Sequence, residues 1–293
     1  MIANRCCAPK ALQKSQWVAA GERAVKVNPL NHAPIERLAN VMPEFAPTAE
    51  RIAVVRTKYW ATGGVQLTVG FMDNPAQDLR DKILSHMNAW GQRTNVAFTE
   101  TSGAAQVRIS RDTGGYWSYV GTDILQIPAD QQTMNLEGFT MDTPDSEFYR
   151  VVRHETGHTI GCPHEHMRSE LVALIDPDKA IAYFADTQGW SADEVRQQVL
   201  TPLEDSSLWG TPRPDQSSIM CYQIPGTITK SGDPILGGAD IDESDFAFMA
   251  QVYPQPASVT KQAPAGRPAD AAAIAQLRSD NEILKKAIGV LAR

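Results

Sequence analysis

The stretch that determines the fold reads His-Glu-Thr-Gly-His-Thr-Ile-Gly-Cys-Pro-His and spans residues 154–164. On a helix, His154 and His158 lie about one turn apart on the same face, so both imidazoles can bind one metal ion. Gly161 can adopt the left-handed conformation that ends a helix, and Pro163 prevents its continuation, which lets His164 return to the metal. Three histidine nitrogens leave the fourth position to water, so the spacing predicts a catalytic Zn²⁺ site.

Glu155 stands beside the first histidine and is predicted to be the general base. Zinc lowers the pKa of a bound water towards about 7, and a nearby carboxylate can then take its proton. The predicted function is that of a zinc-dependent metalloendopeptidase, which attacks peptide bonds with a zinc-bound water activated by Glu155. Two alternatives stay open: a zinc-binding scaffold or interaction protein without proteolytic activity, and a hydrolase of non-peptide amides. Glu155 argues against the scaffold, because a zinc-only role needs no base.

Length, composition and charge exclude other classes of protein. The chain has 293 residues, enough for one large domain with appendages. Its formal net charge of −7 offers no basic surface to nucleic acid or to an anionic membrane. No apolar run reaches the length of a membrane span and no signal peptide is recognisable, so we expect a cytoplasmic protein or one exported by a non-classical route. The four cysteines are predicted to be reduced thiols rather than a disulfide framework.

Hydrophobic patterns along the chain predict a mixed sheet backed by helices. The predicted strands are 65–71, 96–99, 107–110, 116–120 and 123–127. The predicted helices run from 75 to about 90, from about 144 to 160 with Thr143 as the N-cap, and from 242 to 253.

The flanks of the chain differ in composition from its centre. Residues 1–50 are predicted to be an N-terminal extension or pro-segment, and residues 51–254 the catalytic domain. A Pro/Ala-rich linker follows at 255–268. In residues 269–293, apolar side chains recur at steps of three and four, which is typical of an amphipathic helix or a short coiled coil. This helix either docks on its own domain or mediates self-association.

Three further segments carry recognisable motifs. They are Ser218-Ile-Met-Cys-Tyr222, His164-Glu-His-Met-Arg168 and Tyr116-Trp-Ser-Tyr-Val-Gly121. The first resembles the Met-turn of metzincins, and all three together resemble the astacin family of zinc metallopeptidases over about residues 59–253. The resemblance implies an α+β, metzincin-type zincin fold, with a mixed, mostly parallel sheet, an antiparallel edge strand, a zinc-binding helix and a mostly irregular C-terminal subdomain. It implies protein or peptide substrates, Met220 beneath the histidines, and Tyr222 as an additional zinc ligand that stabilises the transition-state oxyanion.

The chain also departs from the astacin pattern. Ser169-Glu-Leu171 replaces the usual Asp-Arg-Asp run, and the family's domain disulfides cannot be built from these cysteines. In the family, Glu165 anchors the amino terminus freed by propeptide removal, but residues 1–50 show no aspartate-switch motif. A thiolate is a strong zinc ligand, so Cys6 or Cys7 is a candidate latency switch, the alternative being two inert thiols in a flexible terminus.

Two interpretations concern the surroundings of the metal. Asp123–Ile127 is expected to be an edge strand, which either pairs with extended substrate, as in metzincins, or has no partner. His166 is expected at the surface or close behind the metal ligands rather than on the metal.

Overall fold

A computed structural model describes residues 7, 10–28, 31, 58–61, 63–202 and 214–256. At its centre is a sheet with the strand order β2-β1-β3-β5-β4. Pairing is parallel between β1 and β2, β1 and β3, and β3 and β5, whereas β4 runs antiparallel to β5 at one edge. The mixed, mostly parallel sheet with an antiparallel edge strand is thereby confirmed. The strands are β1 (Val65–Phe71), β2 (Val96–Glu100), β3 (Val107–Ser110), β4 (Tyr116–Ser118) and β5 (Met134–Leu136).

Seven helices accompany the sheet in the described ranges. The helix that carries the zinc motif, α3, begins with Asp145–Glu147, continues through a π-helical turn at Phe148–Val152 and ends with Arg153–Thr159. The others are α1 (Trp17–Val27), α2 (Gln77–Met87), α4 (Ser169–Val172), α5 (Pro177–Gln188), α6 (Ala192–Val195, extended by a π-helical turn Arg196–Leu200) and α7 (Glu243–Val252).

Apolar alternation and helical spacing explain why these segments pack as they do. Val65, Leu67 and Val69 alternate along β1 and are buried, as expected for a strand with one face in the core. Leu79 and Ile83 lie one turn apart on α2 and are buried in the same hydrophobic cluster. The same cluster receives the apolar side of α3, so the sheet and α2 fix the position of the zinc helix.

A second hydrophobic cluster is drawn from Cys7 and from residues that follow the zinc helix in sequence. It is built from α5, α6 and the turns that follow residue 214, and it includes Phe184, Val199 and Tyr222. Met220 belongs to the first cluster and Tyr222 to the second, so the Met-turn joins the two. Apart from α4 to α7, the described chain after α3 runs mostly in turns and short 3₁₀ segments, as expected for the irregular C-terminal subdomain.

Two local predictions are wrong. Residues 123–127 do not form a strand, because the chain from Gly121 to Gln126 is a 3₁₀ helix that begins at a glycine with φ +50°. Asp123 is half-buried there and pairs with Lys58 at 3.0 Å, so the edge of the sheet is β4. Thr143 does not cap α3, because its Oγ1 accepts a hydrogen bond from the Thr140 amide at 3.0 Å and the helix begins two residues later.

Part of the N-terminal extension is ordered against the domain. Helix α1, which no periodicity predicted, packs on the 3₁₀ helix Gly121–Gln126. Asn31 donates to the carbonyl oxygens of Ala24 and Tyr59 and accepts from the Tyr59 amide. The domain boundaries stay predictions, and the C-terminal helix at 269–293 lies outside the described residues. Within those residues, no helix has the length and apolarity needed to cross a membrane.

Candidate active site

The first two predicted ligands project from the last two turns of α3. His154 and His158 are buried, and their ring centroids are 4.8 Å apart. The helix ends at Thr159, after which Gly161 takes φ +108°. A Cβ on Gly161 would lie 2.7 Å from Tyr59 Cδ1, so both the backbone angle and the close approach require glycine there. This turn brings His164 back to the other two histidines, as the sequence predicts.

Backbone carbonyls orient the two helical imidazoles. His154 Nδ1 lies 2.6 Å from the Ile219 carbonyl oxygen, and His158 Nδ1 lies 2.7 Å from that of Cys162. A carbonyl oxygen only accepts, so each Nδ1 carries the proton and each Nε2 presents a lone pair. Burial lowers the pKa of His154 to about 4 and that of His158 well below its usual value, which keeps both rings neutral.

The three Nε2 atoms converge on one point. His164 Nε2 lies 3.1 Å from His154 Nε2 and 3.0 Å from His158 Nε2. One Nε2 proton on His164 could be donated to only one of its two neighbours, which would leave the lone pair of the other neighbour buried without a donor. A cation removes this conflict, and three neutral imidazoles are the donor set that zinc prefers. The residues therefore fit Zn²⁺.

Cys7 reaches the same point from the N-terminal extension. Its Sγ lies within 4.8 Å of a ring nitrogen of each of the three histidines. The side chain is buried, and its thiol donates to Glu155 Oε2 at 3.3 Å. A tetrahedral zinc site formed by three imidazoles and one thiolate would have no open position.

Glu155 lies where a general base could accept a proton from water at the zinc ligands. It is 1% exposed and lines the same cavity as His154 and Cys7. Burial raises the pKa of its carboxyl to about 8, with the Cys7 hydrogen bond and the charge of Arg150 opposing that shift. A raised pKa brings a carboxyl close to the range in which general bases operate at neutral pH.

Comparisons with known proteins agree with this geometry. The family model described as Astacin, a family of peptidases, matches residues 53–183. A structure of myroilysin is 31% identical to the chain, with a TM-score of 0.64 over 68% of this chain and 97% of that one. A second myroilysin structure is 32% identical, with a TM-score of 0.52 over 68% and 86% of the two chains. The chain belongs to the astacin family.

A curated relative is the zinc metalloproteinase nas-27 of Caenorhabditis elegans, which is 31% identical over 130 residues. That stretch is 44% of this chain and 28% of nas-27, so the chain spans only a part of its relative. Astacins are zinc metalloendopeptidases. Membership of the family gives the chain this enzyme class and Zn²⁺ as its cofactor, as the sequence predicts.

The two residues that the astacin resemblance places around the zinc ligands lie beside them. Met220 is buried under α3, where the absence of a side chain on Gly157 makes room for it, since a methyl group there would overlap Met220 Sδ. The Tyr222 ring lies 4.2 Å from the His164 ring and 6.4 Å from the His154 ring, between centroids. The roles of Glu155 as base and of Tyr222 as an additional ligand and oxyanion stabiliser stay predictions.

Asp245, which no motif marked, holds the astacin Met-turn in place. Its carboxylate accepts hydrogen bonds from Ser218 Oγ at 2.6 Å and from the amides of Ile219 and Asp242 at 3.0 and 3.1 Å. The Ile219 carbonyl in turn orients His154. The capping-box spacing between Asp242 and Asp245 is visible in the sequence, but the contact of Asp245 with the Met-turn is not.

The active-site cleft is a cavity of about 280 Å³ beside the histidines. Its walls come from both hydrophobic clusters and include Tyr116 on the edge strand and Leu236 on the opposite side, 66% exposed. The extension enters along β4, where the Lys10 amide donates to the Ser118 carbonyl oxygen at 3.1 Å and Lys10 pairs in parallel with Tyr119. The backbone of Lys10 therefore occupies the sheet edge, three residues after Cys7 at the zinc ligands.

Proposed function

We propose that this astacin hydrolyses internal peptide bonds, with Glu155 transferring the protons. The observation that carries the proposal is the convergence of three imidazole lone pairs beside a buried carboxylate in one cleft. A structural metal site needs no buried carboxylate that is not itself a ligand. A zinc-binding scaffold without proteolytic activity therefore does not explain why the Glu155 carboxylate lies beside the histidines.

Each chemical step can be assigned to a group of this chain. When bound to His154, His158 and His164, zinc would supply Lewis acidity for the attacked carbonyl and for water. Glu155 takes a proton from the attacking water and returns it to the nitrogen of the leaving amine, which balances the hydrolysis. Tyr222, whose ring packs on that of His164, is proposed to donate its hydroxyl hydrogen to the developing oxyanion.

A polypeptide substrate fits the edge of the sheet. Among the strands of the described ranges, β4 pairs with β5 alone, and a strand edge presents amide and carbonyl groups to an added extended chain. The hydrogen bond from Lys10 to Ser118 supports this use of the edge, because it already holds a backbone segment there. We therefore propose an extended peptide, bound by its backbone, as the substrate.

Cleavage of an unfolded protein such as reduced casein tests this function. The measurement compares wild type with Glu155→Gln, both after release of the N-terminal extension that carries Cys7. The substitution keeps the size of the side chain and removes the base. Both proteins are expected to contain one zinc ion per chain, with cleavage by the wild type alone and loss of that cleavage on chelation. If Glu155→Gln cleaves as fast as wild type, the role of Glu155 is wrong. If no activated form of the wild type cleaves while zinc is bound, the scaffold alternative holds.

We further propose that Cys7 keeps the full-length chain latent. Its Sγ lies near all three histidines and its thiol contacts Glu155, so one side chain blocks both the open zinc position and the base. The parallel pairing of Lys10 with Tyr119 covers the edge strand at the same time. Release of the extension would free the metal position, the base and the strand edge together.

The latency proposal predicts a gain of activity in Cys7→Ser. A serine hydroxyl is a far weaker zinc ligand than a thiolate, so uncleaved Cys7→Ser is expected to hydrolyse peptide at least about tenfold faster than uncleaved wild type. Cys6→Ser is the matched control, since it removes the neighbouring thiol and is expected to stay latent. Equal activity of Cys7→Ser and wild type before cleavage would overturn the proposal. Activation by Cys6→Ser but not by Cys7→Ser would show that Cys6, rather than Cys7, is the latency switch.

A further inference from the structure

His166 is fully buried beside the metal ligands, although it is not one of them. It lies in the 3₁₀ turn Glu165–Met167, directly after the third zinc histidine. Its side chain is 0% exposed, so of the two expected positions the one at the surface is wrong. The imidazole ring lies flat on the ring of Tyr222, with centroids 4.0 Å apart and an angle of 11° between the planes.

A hydrogen bond from the C-terminal subdomain fixes the plane of this imidazole. His166 Nε2 lies 3.1 Å from the carbonyl oxygen of Gln198. Because a carbonyl oxygen only accepts, Nε2 is the protonated nitrogen and donates. Gln198 belongs to the π-helical turn Arg196–Leu200, whose Val199 is buried in the second hydrophobic cluster. The ring of His166 is thus held at its edge by a rigid part of the fold.

The ring of Tyr222 is enclosed on several sides by histidines. His166 covers one of its faces, and His164 contacts it at an angle of 51°. His154 lies further away, nearly parallel to it at 19°. A side chain that stabilises a transition state contributes only if its hydroxyl is held where the charge develops. The flat contact with His166 sets the tilt of the Tyr222 ring, and hence the direction of its hydroxyl.

We propose that His166 is a positioning residue for Tyr222, an inference that rests on the function proposed above. Its aromatic face aligns the tyrosine ring, and burial holds that face in place, with the Nε2–H bond to Gln198 adding to the stability of the fold. A leucine would fill a similar buried volume, but it would offer no flat surface. Substitution can therefore separate two effects of His166, namely its contribution to the stability of the fold and its alignment of the Tyr222 ring.

The test compares His166→Phe with His166→Leu, each in a form of the protein that cleaves peptide. Both variants lose the hydrogen bond to Gln198, so their thermal midpoints are expected to fall by similar amounts. His166→Phe keeps the stacked ring and is expected to keep most of the wild-type kcat. His166→Leu is expected to lower kcat between about tenfold and about a hundredfold, with little change in KM and with one zinc ion still bound per chain.

Repeating the pair in the Tyr222→Phe background isolates the coupling between the two residues. Tyr222→Phe keeps the ring but removes the hydroxyl, so His166→Leu is expected to have no further effect on kcat there. Equal kcat values for His166→Phe and His166→Leu, or the same loss in both backgrounds, would overturn the inference and leave the proposed function intact. An inactive wild type that still binds zinc would overturn the proposed function, and this inference with it.

Discussion

The two regions that meet at the zinc ligands are built in different ways. The region from Tyr59 to Cys162 consists of the sheet, α2 and α3, and its helix presents His154, Glu155 and His158 at fixed helical spacing. The region from residue 163 to 253 supplies His164, the Met-turn and Tyr222, mostly from turns. The helix and strand backbone thus positions the functional side chains of the first region. Buried polar contacts position the functional side chains of the second region.

This difference predicts where the molecule is sensitive to substitution. In the second region, removing a buried hydrogen-bonding side chain should lower the free energy of unfolding strongly, because the turns there are not held by helix or strand hydrogen bonds. Removing a surface ion pair from the first region should matter little, since the sheet and its hydrophobic cluster hold the elements there. The four predictions below run from the largest expected effect to the smallest.

Asp245→Ala is expected to have the largest effect on stability. It removes the acceptor from Ser218 Oγ and from the Ile219 and Asp242 amides, leaving buried donors unpaired. We expect a loss of about 3–5 kcal/mol in the free energy of unfolding, together with weaker zinc binding, because Ile219 orients His154. Urea denaturation and zinc titration measure the two effects.

Glu243→Ala is the matched control for Asp245→Ala on the same helix. Glu243 pairs with Arg93 at an exposed position, so its removal should cost less than about 1 kcal/mol. Similar losses in the two variants would contradict the idea that buried polar contacts hold the second region together.

The pH dependence of stability should reveal the buried carboxyl of Asp245. Burial raises its pKa from 3.8 to about 6. A carboxyl with a raised folded-state pKa stabilises the fold fully below its unfolded value, and this stabilisation is lost as the pH rises through the folded value. Relative to Asp245→Asn, which does not titrate, wild type should therefore lose up to about 3 kcal/mol between pH 4 and pH 6. A pH-independent difference between the two proteins would show that Asp245 does not titrate in this range.

Tyr253→Phe tests a contact that joins the two regions. The buried Tyr253 hydroxyl donates to the Ile160 carbonyl oxygen at 2.7 Å and accepts from the Trp60 amide at 2.9 Å. Its removal should lower the free energy of unfolding by about 1–3 kcal/mol without changing the zinc content, because neither partner orients a zinc ligand. Calorimetry with metal analysis checks this. Loss of zinc in Tyr253→Phe would contradict the prediction that this contact affects stability without affecting zinc binding.

Lys82→Met is expected to have the smallest effect. Lys82 pairs with Asp145, the first residue of α3, at 2.6 Å, but Asp145 is 77% exposed there. Exposed ion pairs contribute little to stability, and methionine keeps most of the contact with Phe148. The free energy of unfolding should therefore change by no more than about 1 kcal/mol. A loss comparable to that of Asp245→Ala would show that surface charges, rather than packing, hold the zinc helix.

The same contrast explains what the sequence could predict. The zinc ligands are encoded within eleven consecutive residues, and helical geometry converts their spacing directly into position. Strands β1 to β4 and helices α2, α3 and α7 also followed from local patterns. The mostly parallel pairing of the strands followed from the family resemblance, because pairing between strands is not a local property.

Other features depend on contacts between distant residues. Cys7 and Glu155 are separated by 148 positions, and Asp245 and Ile219 by 26, so no local pattern reports their contacts. The apolar residues of 123–127 fit a strand pattern, although most of this segment lies in the 3₁₀ helix Gly121–Gln126. The backbone angle of Gly121 and the half-buried pair between Lys58 and Asp123 favour the 3₁₀ helix there.

X-ray absorption at the zinc edge of the full-length protein tests most directly whether these distant segments meet at one metal ion. The account predicts three nitrogen ligands with the signature of imidazole at about 2.0 Å and one sulfur at about 2.3 Å in wild type. In Cys7→Ser, the sulfur should disappear while the three imidazoles remain. A wild-type spectrum without imidazole ligands would contradict the assignment of His154, His158 and His164, and one without sulfur would contradict the closure of the site by Cys7.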